Sequence, residues 1–87
     1  MEKFVWKFVL HIEGITTVEM PKDSELLCFR EQLGRPCLWA LVNPKAEIET
    51  RTFRVVGTGH CITQEVKQYI GTALLLNGAR VIHLFEV

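Results

Sequence analysis

The sequence predicts an all-β fold, a small sandwich or partly open barrel of about seven short strands forming a single domain over residues 1–87. Three observations predict it. Apolar and polar residues alternate with period two along much of the chain. Turn signals recur about every 8–12 residues. No amphipathic helical pattern runs beyond two turns.

The first strand is predicted over Phe4 to Ile12. One face carries Phe4, Trp6, Phe8, Leu10 and Ile12, the other Val5, Lys7, Val9 and His11, a half-buried strand with a large apolar face. Gly14 permits a turn. Thr16 to Met20 is β-branched and reads as the second strand, ended by Pro21, which has no ladder donor. Lys22-Asp23-Ser24 is a turn cluster. Leu26 to Gln32 is the third strand and Leu33-Gly34-Arg35-Pro36 a turn. Cys37 to Val42 is almost continuously apolar, as a central strand covered on both faces would be. Asn43-Pro44 breaks it. Glu49 to Val56 alternates again. Thr63 to Gln68 fits one short helical turn with Thr63 as N-cap. Tyr69 to Leu76 and Ala79 to Val87 are the last two strands. Between them Asn77-Gly78 is the strongest hairpin signal, because a type I′ turn needs positive φ at both central positions.

Composition narrows function by exclusion. Hydrophobic residues are 48% of the chain and charged residues 23%, a globular balance. Ten basic against ten acidic residues give a formal net charge of zero, which argues against nucleic-acid polymers and membrane surfaces as partners. Three cysteines, Cys28, Cys37 and Cys61, lack C-x-x-C or zinc-ligand spacing and are expected to be reduced thiols. The apolar N-terminus is broken by Lys7 and His11 with no small-residue cleavage site after it, so no signal peptide is expected. A chain this short buries only about 60–65% of its unfolded surface, so a homo-oligomer is expected, most simply a dimer. The expected interface is the C-terminal strand edge at Leu84-Phe85-Glu86-Val87.

Several residues are suited to holding a small anion. Gly57-Thr58-Gly59-His60 offers backbone amides to a phosphate or carboxylate with His60 as donor; the same residues suit a β-bulge or a wide turn. Arg51 and Arg54 carry the best fork for such anions but fall on opposite faces of one strand. Either also suits a surface ion pair with a residue such as Glu49. Among the aromatics, Trp39 and Tyr69 combine a stacking face with a polar handle, although most rings are expected in the core. His11, His60 and His83 show no metal-ligand spacing. The only serine, Ser24, lies in a polar turn rather than a nucleophile elbow. No metal, cofactor or enzymatic activity is therefore expected.

The strings Leu38-Trp39-Ala40, Gly57-Thr58-Gly59-His60 and Tyr69-Ile70-Gly71-Thr72, in order with Trp6-Lys7-Phe8, Thr17-Val18-Glu19-Met20-Pro21, Arg51-Thr52-Phe53 and His83-Leu84-Phe85-Glu86, resemble a family of small bacteriophage and prophage proteins recorded as a domain of unknown function. This sequence has Ile82 where that family usually shows Trp, and Cys61 where it usually shows Pro. The resemblance implies a viral context and the cytosol of a bacterial host. Small phage β-proteins include sponges that sequester nucleotide-derived immune signals. By that analogy the expected function is non-enzymatic binding of a small anionic ligand, a cyclic nucleotide or ADP-ribose derivative. The expected site is Arg51, Arg54, Gly57, Thr58, Gly59, His60, Trp39 and Tyr69. The alternative is a protein-interaction or virion-associated module with no small-molecule pocket.

Overall fold

The computed structural model describes residues 2–87. Its strands are β1 (Phe4–Val9), β2 (Gly14–Pro21), β3 (Glu25–Gln32), β4 (Arg35–Val42), β5 (Ile48–Gly57), β6 (Gln68–Leu75) and β7 (Arg80–Glu86). They form two sheets, β1-β4-β3 and β2-β5-β7-β6. Every strand pair is antiparallel. The sheets pack as a sandwich that does not close into a barrel.

Alternation decides which side chains meet between the sheets. Val18 and Met20 of β2, Phe53 and Val55 of β5, and Ile82 and Leu84 of β7 are buried at every second position, facing Phe29 and Leu38 of the smaller sheet. β4 is the central strand of its sheet, as its apolar run predicts, and Leu38, Ala40 and Val42 are fully buried. Its other face is not covered as expected, because only one sheet packs on it and Trp39 and Leu41 stay partly exposed. β3 and β6 come closest across the sheets: a Cβ on Gly71 would lie 3.3 Å from the Phe29 Cβ. A side chain at position 71 would require Phe29 to give way by a few tenths of an ångström, which glycine avoids.

Two hairpins close by left-handed backbone. At Asn77-Gly78 the φ angles are 54° and 89°, and the Ala79 N–H donates to the Leu76 carbonyl at 3.0 Å, as a type I′ turn requires. The second hairpin lies at Leu33-Gly34, with φ of 52° and 81° between the paired Gln32 and Arg35. β4 therefore starts two residues before the position expected from its apolar run.

The structure corrects three expectations. β1 ends at Val9 rather than Ile12, because the chain turns there toward the other sheet; Leu10 is buried in the core and the His11 N–H donates to Thr16 Oγ1 at 3.0 Å. Residues 63–68 contain no helical turn. The backbone there makes tertiary bonds instead, the Lys67 N–H donating to the Glu86 carbonyl at 2.8 Å. Finally, β7 lies between β5 and β6, so Leu84 to Glu86 is a paired central segment and offers no free edge.

Candidate functional site

Arg51 and Arg54 lie three residues apart on β5 and point to opposite faces, as alternation requires. Arg51 shares the inward face with Phe53. Its fork grips Glu86, Nε to Oε2 and Nη2 to Oε1, both at 2.8 Å, and Nη1 donates to the Ser24 carbonyl at 2.8 Å. Both side chains are mostly buried. The hydrogen bonds from Arg51 hold the Glu86 carboxyl below its ordinary value against the opposing effect of burial. The expected partner Glu49 instead accepts the Asp23 N–H at 3.2 Å. Arg51 is thus occupied in fastening β5 to β7 and to the turn after β2.

Arg54 shares the outward face of the larger sheet. Its Nη2 donates a long bond of 3.4 Å to the Cys61 carbonyl, which brings segment 58–67 over this face. Val56, on the same face, is buried although it points away from the core. The Arg54 Nε is buried with no acceptor. Among the described residues, no carboxylate forms an ion pair with this guanidinium.

Beside Arg54 a polar chain runs across the same face. Tyr69 and Thr72 hydroxyls meet at 2.6 Å, Thr72 Oγ1 meets His83 Nδ1 at 3.0 Å, and His83 Nε2 meets Thr58 Oγ1 at 2.7 Å. Tyr69 and Thr72 would ordinarily face opposite sides. The register shift between Tyr69 and Gly71 against β7 turns both to the same side. Arg54 is paired with Phe85, which is paired with Tyr69. The Phe85 and Tyr69 rings are tilted at 5.5 Å, and Tyr69 is 54% exposed. The face thus combines an unmatched guanidinium, an exposed tyrosine ring backed by a half-buried Phe85, and rotatable hydroxyls held by an imidazole. Among the described residues no carboxylate forms an ion pair with His83, whose two ring nitrogens both meet threonine hydroxyls.

Gly57-Thr58-Gly59-His60 forms a tight turn at the end of β5. The His60 N–H donates to the Gly57 carbonyl at 3.1 Å and Gly59 has φ of 85°. One of the amides that an anion nest would need is therefore used internally. The His60 ring lies against Gly57, where a Cβ would be 3.0 Å from Nδ1. This turn borders an open concavity of about 500 Å³ lined also by Arg80. Arg80 Nη2 is 2.8 Å from Glu13 Oε1, which is also 3.6 Å from His60 Nδ1.

Of the eight expected site residues, the structure therefore brings Arg54, Thr58 and Tyr69 onto one face, with Gly57, Gly59 and His60 in the adjoining turn. Arg51 is on the inward side of β5. Trp39 is on the outer face of the smaller sheet, paired with Lys7 and Cys28 beside a shallow apolar groove of about 330 Å³. Sequence reasoning missed Thr72, His83, Phe85 and Arg80. Alternation along β7 already put His83 and Phe85 on one face. Thr72 lies opposite His83 in the regular register of the last hairpin, whereas Tyr69 reaches this face only through the bulge, which leaves no pattern in the sequence. Among the described residues no cluster of His, Cys, Asp or Glu suits a metal ion, and no helix is long and apolar enough to cross a membrane.

The model of a family described as a domain of unknown function, DUF7352, matches residues 1–87. No curated protein and no solved structure matches the chain.

Proposed function

The chain belongs to this DUF7352 family of unknown function, and from the geometry of its site we propose that it is a non-enzymatic module binding a small anionic, ring-bearing ligand on the outer face of β5, β7 and β6. The observation that carries this reading is Arg54. Its Nε is buried without an acceptor, it has no acidic partner among the described residues, and it stands beside a half-buried Phe85 whose ring meets the exposed ring of Tyr69. A phosphate would supply the missing acceptor in charge-assisted, bidentate form. A base would stack on Tyr69, and the Thr58, Thr72 and Tyr69 hydroxyls would address ribose or phosphate oxygens. A cyclic nucleotide or an ADP-ribose derivative has this combination of groups. In its finer form the reading is a phage protein in the host cytosol that holds a bacterial immune signal without converting it.

Titration calorimetry with ADP-ribose and cyclic nucleotides tests it. Binding is expected, with release of intact ligand on heat denaturation. Arg54→Ala should weaken affinity by about 1.5–3 kcal/mol, the range for hydrogen bonds to charged groups, or roughly ten- to a hundredfold. Heat of binding absent for every ligand, or affinity unchanged in Arg54→Ala, overturns the assignment. Recovery of a converted product would make the protein an enzyme instead. A second reading, a protein-interaction module, is favoured by β1, whose apolar side chains are exposed on both faces.

A further inference from the structure

β1 is the outer strand of the smaller sheet and has β4 as its neighbour. The Leu10 N–H donates to the Pro36 carbonyl at 2.9 Å, continuing the β1–β4 register that pairs Phe4 with Val42 and Phe8 with Leu38. Bonded and non-bonded pairs alternate in an antiparallel ladder. Phe4, Trp6 and Phe8 therefore turn their N–H and C=O groups toward β4, while Val5, Lys7 and Val9 turn theirs outward.

Sheet edges are ordinarily guarded by charge, proline or bulges. β2 carries Glu19 and ends in Pro21; β3 carries Glu25, Arg30 and Glu31, contains a register shift, and lies against β6. β1 has none of these guards except Lys7. The Lys7 ammonium is drawn across β4 to Gln32 Oε1 of β3 at 2.7 Å, away from the free edge. Phe4, Val5, Trp6 and Val9 stand 48%, 57%, 38% and 45% exposed.

We propose that β1 pairs antiparallel with β1 of a second copy, about a two-fold axis through Trp6, so that the two smaller sheets become one continuous sheet. Two registers satisfy the outward-pointing groups and overlap the strand most fully. An axis through Lys7 puts two ammonium-bearing residues directly opposite each other on one face, which is destabilising. An axis through Trp6 sets Val5 opposite Lys7, Phe4 opposite Phe8 and Trp6 opposite Trp6. The two Trp6 residues then form a non-hydrogen-bonded pair, where side chains come closest, and six aromatic rings share one face. The strand is thus its own complement, and a formal net charge of zero leaves no long-range repulsion between copies. A self-complementary patch is what a closed two-fold interface needs.

Light scattering of the purified chain at micromolar concentration should give about 20 kDa, twice the 10.0 kDa of one chain. Val5→Pro removes an outward N–H and leaves the β4 ladder intact; it should give the single-chain mass with an unchanged circular dichroism spectrum. Trp6→Cys should cross-link two chains under mild oxidation, whereas Lys7→Cys and the parent chain should not. A parent mass of one chain overturns the proposal and leaves the edge for a foreign peptide. So does a folded Val5→Pro variant that stays paired, or cross-linking at Lys7→Cys in place of Trp6→Cys. Should Val5→Pro fail to fold, the two cysteine variants decide.

Discussion

Arg51 and Arg54 show how one strand gives the same residue type two fates. Both faces were legible from spacing alone. The partner of Arg51 was not, because Glu86 is 35 residues away in sequence and joins it only once β5 and β7 pair. Arg51→Ala should leave Glu86 mostly buried and unmatched, costing about 2–3 kcal/mol. For a domain of this size that lowers Tm by roughly 10 °C or more, while ligand affinity stays the same. The same pair sets an acid limit. The Glu86 carboxyl is held below its ordinary 4.5 by Arg51, so its contribution is complete above that value and is lost as pH falls through the lowered folded-state pKa. Thermal melts from pH 7 to pH 3 should show a steeper acid loss in the parent than in Glu86→Gln. Leu33 is a different case. It sits at φ 52° and is 94% exposed, in left-handed backbone that disfavours a branched side chain and with no packing in return. Leu33→Asn should raise stability by about 1 kcal/mol, read as a higher Tm; an unchanged or lower Tm contradicts this.

At the scale of elements, turn chemistry written in glycine and asparagine was the most legible part of the sequence. Asn77-Gly78 adopts the expected left-handed pair, and Gly57 to His60 forms a turn tighter than the bulge or wide turn its glycines suggest. The Leu33-Gly34 hairpin was read as a longer turn because leucine gives no signal for positive φ. The short helical turn expected at 63–68 failed for a related reason: capping propensity is local, whereas Lys67 is drawn into the β6–β7 ladder by Glu86. The bulge at Ile70 left no trace in composition, yet it builds the site by turning Tyr69 and Thr72 to one side. Its neighbour Gly71 is held by the approach of Phe29. Gly71→Val should force β3 and β6 apart and cost about 1–3 kcal/mol, the usual range for overpacking. A melt indistinguishable from the parent would show that the close approach is not needed.

For the whole molecule, the alternation that predicted seven strands could not predict their order. The C-terminal strand looked like an edge because it ends the chain; in the fold it is enclosed on both sides, and the unguarded edge is at the other terminus. The same limit applied to the site. Glycines, arginines and aromatics suited to an anion were visible, but strand order divided them, taking Trp39 to the opposite sheet and Arg51 to the inward face. Strand order also brought His83 and Phe85 beside Arg54 and Tyr69. The central claim is that this outer face, and neither of the other two positions, receives the ligand. An amide-resolved NMR titration with ADP-ribose and cyclic nucleotides tests it most directly. The account predicts saturable shifts centred on Arg54, Thr58, Tyr69, Thr72 and His83, with Trp39 and Arg51 unmoved. Shifts centred on Trp39, or no shifts with any of these ligands, would contradict it.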